Sequence, residues 1–378
     1  MGAVSAFTDI STEMVLGVLP IFVITDLHAT KAILGLMEGA SESLNYLFRV
    51  FSGVLSDKIG TKKPLILLGY GLSTVSKPFF AVAQSWGDAF AIRLTDRVGK
   101  GVRTSPRDAL ISDSVKEAQG GKAFGLHRSL DQLGAIVGPL FAFLLIPAIG
   151  FRGIFWASAV PGVMAVLVLL FFVQDSRVAK QSAGVLRNAR TVLTRKFTVF
   201  LLVLGIFALG AYNFSFILVK ASTLGVNEDT IPLVYAALNV STVIAGYPSG
   251  ILADKLGRGR VLVFGYGLFF ISSLAGALIT AGVVFAFVIA LIYGLYLGTS
   301  EAIQRAFIPS LVPQELKGTA YGVYYLLISA CSALANVIFG VLWDQVSVGL
   351  AFSYSMVTSA AAIVGLALLL SRRRYFVG

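Results

Sequence analysis

The sequence has little of the chemistry that soluble enzymes use. It contains one cysteine, Cys331, two histidines and five methionines among 378 residues, and only 13% of its residues are charged, against about 25% in a soluble domain. One cysteine excludes a disulfide framework, and so few soft ligands make a transition-metal site a poor hypothesis. The sequence also lacks the His-x-x-x-His, Gly-x-Ser-x-Gly and phosphate-loop motifs. We therefore expect that the protein is not an enzyme and that it holds no resident metal or cofactor.

Long apolar runs fill most of the chain instead. Hydrophobic residues make up 57% of it, and they come in blocks long enough to cross a hydrocarbon core of about 30 Å. A spanning segment must satisfy its own backbone hydrogen bonds, so each block is predicted to be a helix. We place twelve such blocks at roughly 4–25, 33–56, 63–84, 88–113, 121–148, 151–173, 197–219, 230–253, 260–280, 284–308, 317–342 and 348–371.

The basic residues predict the orientation of the chain. Its net charge is +11, and the bases gather in alternate loops, which is the positive-inside pattern of a membrane protein and not a nucleic-acid surface. The basic loops are therefore predicted to be cytoplasmic. Twelve spans then place both termini in the cytoplasm, and we expect a multi-pass protein of the inner or plasma membrane that acts as a monomer.

One loop motif occurs twice, in Gly53–Lys63 and again 197 positions later in Ser249–Arg260. In each copy an apolar helix ends in a small residue, one Asp, a base, a turn glycine and further bases. The pattern Gly-x-x-x-Asp-Lys-x-Gly-x-Lys-Lys resembles the loop signature of the major facilitator superfamily of secondary transporters. Across nearly the whole chain, the resemblance is to its prokaryotic drug-efflux-like and generic permeases. It implies transport of a small-molecule substrate across the lipid bilayer, driven by a proton gradient and not by a bound cofactor.

The same 197-residue offset relates a second pair of segments, Gly121–Gly125 and Gly318–Gly322. Parallel repeats about an axis along the membrane normal are how this superfamily is built. We predict an all-α integral membrane protein of twelve transmembrane helices in two pseudo-symmetric six-helix bundles. The bundles would occupy residues 1–173 and 197–378, and the polar stretch 174–196 would be a cytoplasmic linker.

The repeated loop is predicted to act as a conformational latch. Asp57 and Asp254 end apolar helices, where a carboxylate is most stable facing a helix N-terminus. Twofold symmetry predicts the start of the eleventh helix beside Asp57 and the start of the fifth beside Asp254. The alternative is that the lysines of the loop only set topology. The latch residues would be Gly53, Asp57, Lys58, Gly60, Lys63, Gly250, Asp254, Lys255, Gly257 and Arg260.

Charged stripes mark the first half of the chain. On the fourth helix, five bases follow one face over four turns, and Arg97–Gly101 resembles the superfamily motif Arg-x-x-Gln-Gly with Lys100 in place of Gln. Intramembrane charges are costly and normally face a water-filled cavity or a partner. A structural ion-pair network is the alternative, whereas Glu13, near mid-membrane by its depth, is the first candidate for proton coupling. The cavity and coupling candidates are Asp9, Glu13, Glu38, Glu42, Arg49, Arg93, Arg97, Lys100, Arg103, His127 and Asp131.

The second half has few charges and many tyrosines and asparagines. This asymmetry suggests that the first half handles protons and the second contacts substrate, with interfacial anchoring as the alternative for some tyrosines. The substrate-contact candidates are Asn213, Asn239, Tyr293, Tyr296, Glu301 and Arg305.

The fifth helix suggests a direction of transport. Gly134, Gly138 and Pro139 resemble the superfamily's antiporter motif, although its last two glycines are replaced by Ala142 and Phe143. We therefore expect a proton-coupled antiporter that exports a small solute or drug-like compound. A proton symporter or facilitator for an anionic metabolite, a metal ion or a metal chelate is the second hypothesis. A channel or lipid scramblase is the third, and it would show flux without proton coupling.

Overall fold

The computed structural model describes residues 1–114, 120–175, 192–313 and 316–371, and these residues contain helices and no strand. The α-helices in chain order are α1 (Gly2–Leu16), α2 (Leu19–Thr25), α3 (Lys31–Ile59), α4 (Lys63–Ser76), α5 (Trp86–Asp113), α6 (Gly120–Ala157), α7 (Ala159–Phe172), α8 (Arg195–Gly210), α9 (Ser215–Thr223), α10 (Ile231–Leu256), α11 (Arg258–Leu278), α12 (Val283–Leu311), α13 (Lys317–Gln345) and α14 (Val348–Ser371). Two 3₁₀ segments, Lys77–Val82 and Glu228–Thr230, continue α4 and precede α10.

Nine of the described helical segments are long and apolar enough to cross a membrane. One of these, Ala123–Phe172, has 50 residues, and Gly150 interrupts it with non-helical backbone at φ 63°. A residue with a side chain rarely adopts that φ, so a glycine stands where the chain turns. The 29-residue α3 and the 28-residue α5 are long enough as well but are not among the nine. Both carry charged residues that lower their hydropathy.

The first predicted block and the seventh each contain a break that the apolar pattern conceals. In the first, α1 ends at Leu16 and α2 begins at Leu19, with Pro20 at its start; proline has no N–H to donate to the preceding turn. In the seventh, α8 ends at Gly210 and α9 begins at Ser215. Phe214 is the N-cap of the new helix, and the Oδ1 of Asn213 before it accepts a hydrogen bond from the Ser215 N–H at 2.9 Å.

The chain divides into two compact units. The first comprises Met1–Ala29, Ala40–Gly184 and Asn227–Ala236, and the second comprises Thr30–Gly39, Val185–Val226 and Ala237–Gly378. The predicted 174–196 linker lies largely outside the described residues, which resume at 192. In the first unit α1 packs chiefly on α6 and α4 on α5, and in the second α11 packs on α12 and α14.

The helices repeat at the offset that the sequence motifs have. Helix α12 begins 197 residues after α5, α13 begins 197 residues after α6, and the Glu228–Thr230 turn that leads into α10 begins 197 residues after α3. Equivalent positions of the two units can therefore be compared directly.

Candidate functional site

Helix α5 carries the predicted basic stripe through the first unit. It starts at a capping box, in which Ser85 accepts a hydrogen bond from the Asp88 N–H and the Asp88 side chain accepts one from the Ser85 N–H. Such a box fixes where the first turn begins. The side chains of Arg93, Arg97 and Arg103 are each 3% exposed. Three guanidinium groups are therefore held in the interior of the unit.

Asp96 anchors two of these arginines, and the sequence reasoning did not single it out. Its Oδ2 lies 3.0 Å from Arg97 Nη2 and 3.6 Å from Arg93 Nη1. Its Oδ1 accepts a hydrogen bond from Ser73 Oγ on α4 at 2.6 Å. The signal was present, because an Asp three residues after Arg93 on a helix lies on the same face.

Lys77 is the second residue that the sequence reasoning missed. It is 1% exposed, and its Nζ donates to Thr12 Oγ1 on α1 at 3.1 Å. Pro78 follows it where the backbone of α4 tightens into a 3₁₀ helix. A lysine within an apolar block should have drawn attention, because an intramembrane base is a functional candidate by default.

The carboxylates of α1 are set against two glycines of α6. A Cβ atom built on Gly134 would lie 2.8 Å from Asp9 Cβ, and one built on Gly138 would lie 2.9 Å from Glu13 Cβ. These are the glycines of the antiporter-like motif, with Pro139 inside the same helix. Their lack of side chains brings α6 against the backbone of the two acids.

Glu13 makes the strongest contact of the two acids. Tyr235, near the start of α10 but grouped with the first unit, donates its hydroxyl to Glu13 Oε2 at 2.6 Å. The carboxylate also interacts electrostatically with Lys100, Arg97 and Arg93. Asp9 makes no hydrogen bond or ion pair with any described residue, and its electrostatic neighbours include Asp131, Lys100 and Arg103.

The other charged candidates of the first unit lie on α3, α5 and α6. Glu42 Oε1 accepts a hydrogen bond from Asn45 at 3.2 Å, and Arg49 lies 3.6 Å from Asp108. Asp108 also binds Arg107 at 2.8 Å. Glu38 is 2% exposed, and its segment belongs to the second unit.

His127 and Asp131 lie one turn apart on α6. Asp131 accepts a hydrogen bond from Ser5 of α1. His127 is buried, and within the described residues neither of its ring nitrogens has a hydrogen-bond partner. Its charged neighbours include Arg107, Asp131 and Asp108, so it belongs to the same charged region of the unit.

The candidates of the second unit surround an aromatic core. Tyr293 donates its hydroxyl to the Tyr212 carbonyl at 2.7 Å, and the Tyr293 and Tyr296 ring centroids are 5.5 Å apart. The Asn213 N–H donates to Asn336 Oδ1 at 2.8 Å, at the break between α8 and α9. The further members of the core include Phe207, Tyr266, Phe269, Phe339, Trp343 and Phe352.

Two further candidates of this unit are more exposed. Glu301 and Arg305 form an i,i+4 pair at 3.6 Å, with their side chains 59% and 38% exposed. Asn239 is half-buried on α10. The structure therefore groups the two tyrosines with the core and leaves the Glu301–Arg305 pair apart from it.

The two copies of the loop motif share their turn geometry. Gly60 and Gly257 have φ of 75° and 92°, a conformation that favours glycine. Gly53 faces α5, since a Cβ there would lie 3.3 Å from Ser105 Cβ, whereas a Cβ on Gly250 would meet no neighbouring helix within 4 Å among the described residues. Lys63 donates its Nζ to the Leu170 carbonyl at 2.9 Å.

The charged residues of the two motif copies differ in how much of them the structure describes. Asp254, Lys255 and Arg260 are exposed in the second copy, as Lys58 is in the first. The side chain of Asp57 lies outside the described part of the structure. The predicted latch therefore stays a prediction.

Comparison with known proteins identifies relatives along the whole chain. The sequence model of the Major Facilitator Superfamily matches residues 1–336 and 198–377. An uncharacterised MFS-type transporter of Methanocaldococcus jannaschii is 32% identical over 377 residues, which cover 98% of this chain and 93% of the relative. The multidrug resistance protein MdtG of Proteus mirabilis is 25% identical over 62% of this chain and 61% of its own.

Solved structures share the fold at low sequence identity. A bacterial homologue of the human lysosomal transporter Spinster, in an inward-facing and occupied conformation, aligns with a TM-score of 0.74 at 16% identity, covering 99% of this chain and 94% of its own.

Proposed function

Because the chain belongs to the major facilitator superfamily, and is therefore a multi-pass membrane transporter and not an enzyme, we propose that it is a proton-coupled secondary active transporter. It moves a small solute across the cytoplasmic membrane by alternating access. The proton gradient supplies the driving force, and no resident cofactor takes part. The chain acts as a monomer with both termini in the cytoplasm.

The helical segments support a count of twelve spans. The Ala123–Phe172 candidate counts as two spans, because Gly150 divides it. The charged helices α3 and α5 supply two more, since their lengths of 29 and 28 residues suffice for a core of about 30 Å. Charged residues in such helices are tolerated where they face partners or water.

The observation that carries proton coupling is the hydrogen bond from Tyr235 to Glu13. Glu13 sits on α1 among the bases of α5, so its protonation changes the charge balance of the region. Tyr235 reaches it from the first turns of α10, a helix that the two units divide between them at residue 236. A carboxylate that exchanges a proton while its hydrogen-bond partner belongs to another helix can link protonation to helix movement.

The experiment uses purified protein in liposomes that enclose a pH-sensitive dye. Candidate solutes, including a quinolone, a dicarboxylate and a phosphate ester, are added outside. Lumen alkalinisation on addition indicates antiport, and acidification indicates symport. For the solute that gives a signal, Glu13→Gln should abolish proton movement while solute counterflow survives, and Glu228→Gln, an exposed acid in a turn, should behave as the wild type.

Three outcomes would contradict the proposal. A normal proton signal from Glu13→Gln removes Glu13 as the coupling group. Equal loss of proton movement, counterflow and thermal stability means that Glu13 only holds the helices together. Solute flux without any proton signal in the wild type indicates a facilitator, channel or scramblase.

Export by antiport is the first mode that we propose. The glycines of the antiporter-like motif pack directly on the segment that carries Asp9 and Glu13, and the relatives include a multidrug resistance protein. Symport of an anionic metabolite is the second mode. Two buried bases of the first unit, Lys77 and Arg103, have no carboxylate at ion-pair distance among the described residues, and this observation favours symport.

A further inference from the structure

Three bases on α5 and on the 3₁₀ segment that continues α4 lack a carboxylate within ion-pair distance among the described residues: Lys77, Lys100 and Arg103. Lys77 donates only to the neutral hydroxyl of Thr12. The Lys100 side chain makes neither a hydrogen bond nor an ion pair there. Arg103 stacks over the Tyr70 ring, with its Cζ 4.6 Å from the ring centroid.

The same region contains buried donors without acceptors. Arg103 Nη1 and the Tyr70 hydroxyl are both enclosed and have no hydrogen-bond partner in the described part of the chain. A buried donor left unsatisfied is costly, and a buried unpaired charge more so. An unsatisfied buried donor is therefore expected where a bound ligand, and not the protein, supplies the acceptor.

Close helix packing brings the three bases together. Helices α4 and α5 approach at two glycines, since a Cβ on Gly99 would lie 2.8 Å from the Gly69 carbonyl oxygen. This contact sets Arg103 beside Tyr70, and Lys100 lies one turn away on the same face of α5. Lys77 begins the 3₁₀ segment that continues α4 and has Arg103 among its electrostatic neighbours.

Asp9 is the common neighbour of the three bases. It interacts electrostatically with Lys100 and Arg103 and with Lys77, yet it forms no ion pair with any of them in the described residues. Glu13 on α1 and Asp131 on α6 are the acids that face it. The carboxylate is thus close enough to balance the bases electrostatically and too far away to supply their hydrogen bonds.

We propose that Lys77, Lys100 and Arg103 bind the oxyanion group of an anionic substrate, and that Asp9 is protonated while the anion is bound. An oxyanion supplies the acceptors that these donors lack, and a guanidinium matches its geometry. Ionised Asp9 balances the bases when the site is empty. The anion and one proton therefore occupy the site together, which selects symport, the second of the two modes proposed above, over antiport. This inference rests on the proton-coupled transport proposed above.

The first test measures thermal stability of the full chain in detergent, with carboxylates such as succinate and phosphate compounds such as glycerol 3-phosphate against chloride at equal ionic strength. A ligand that binds the folded state raises its melting temperature by mass action. One anion class should stabilise the wild type, with at least tenfold weaker apparent binding in Lys100→Met and Arg103→Gln. The control, Arg195→Gln, removes an exposed base at the start of α8 in the second unit and should keep the wild-type response.

The second readout separates binding from structure. Without a ligand, Lys100→Met should keep or raise the melting temperature, because it removes an unmatched charge. The anion should also raise the melting temperature of the wild type more at pH 6 than at pH 8. Asp9→Asn should bind the anion equally at both pH values, because the asparagine side chain is always neutral.

Three results would overturn the inference. One is the absence of stabilisation by any of the anions tested. Another is a melting temperature for ligand-free Lys100→Met well below that of the wild type, which assigns Lys100 to a structural network. The third is selective stabilisation by organic amines, which leaves the proton-coupled transporter intact and assigns it a cationic substrate. Failure of the transporter proposal itself would instead appear as solute flux without proton movement.

Discussion

The two units place different chemistry at equivalent positions of the same helices. Asp96, which anchors two arginines on α5, has Tyr293 as its counterpart 197 residues later on α12. Buried His127 on α6 likewise has Tyr324 as its counterpart on α13. At the first of these positions the first unit has a buried ion-pair cluster, whereas the second has a ring contact and a neutral hydrogen bond. One helical framework therefore accommodates either kind of side chain, and the difference supports the proposal that the first unit handles protons and charge.

Neutralising Asp96 is the substitution expected to have the largest effect on stability, and it tests the contrast between the two units. Asp96→Asn leaves Arg93 and Arg97 without their carboxylate, and removing one partner of a buried pair costs about 3–5 kcal/mol. We expect a large fall in melting temperature or a loss of folded protein. The matched change, Tyr293→Phe, removes one hydrogen bond to the Tyr212 carbonyl and should cost about 1 kcal/mol. Equal effects of the two substitutions would contradict the contrast between the units.

The loop motif offers a second comparison, measured as transport and not as stability. From the sequence, Asp57→Asn should fold and lose most transport in liposomes, because a neutral amide cannot exploit a helix dipole. Asp254→Asn should be milder, and Asp254 is indeed exposed. Full transport by Asp57→Asn would eliminate the latch and leave the loop only a role in topology.

A third comparison concerns the glycines of α6. In Gly138→Ala, the added methyl group would lie 2.7 Å from the Ile10 carbonyl oxygen, and such overpacking costs about 1–3 kcal/mol. It should also displace Glu13 and weaken proton movement. The counterpart 197 residues later, Ala335, already carries a methyl group and is fully buried. Ala335→Gly should cost about 1 kcal/mol and leave proton movement unchanged, so loss of coupling in both variants would refute the argument.

The smallest effect is expected at the Glu301–Arg305 pair. Its side chains are 59% and 38% exposed, and exposed i,i+4 pairs contribute about 0.3–0.5 kcal/mol. Glu301→Gln should therefore shift the melting temperature very little. A large shift would mean that the second unit also depends on a charge network, which would weaken the comparison.

Most of the fold follows from the sequence, because long apolar runs must be helical and the motifs repeat at one offset. Pro20 is a sequence signal for the break between Leu16 and Leu19, whereas no such signal marks the break at residues 211–214. It depends on the Asn213 side chain accepting the Ser215 N–H and on Asn336, more than 120 positions away, accepting the Asn213 N–H. A linear pattern of apolar residues contains no such information.

The site was only partly predictable for a similar reason. The basic face of α5 and the acids of α1 stand out as charges among apolar residues. Lys77 is a single base within an apolar block, and averaging over the block conceals it. The roles of Asp96 depend on Ser73 of α4, which no helical spacing relates to it. The glycines of α6 were recognised as a motif, whereas their contact with the backbone beside Asp9 and Glu13 required the packed helices.

The aromatic core of the second unit has a spectroscopic consequence. The chain has three tryptophans, and Trp343 is 7% exposed, whereas Trp86 and Trp156 are 43% and 57% exposed. Trp343 lies among Phe216, Phe339 and Phe352. With Trp86 and Trp156 replaced by phenylalanine, the remaining fluorescence would originate within this core. The second unit thus contains an intrinsic emission probe, and changes in its packing can be followed during a transport cycle without attaching a label.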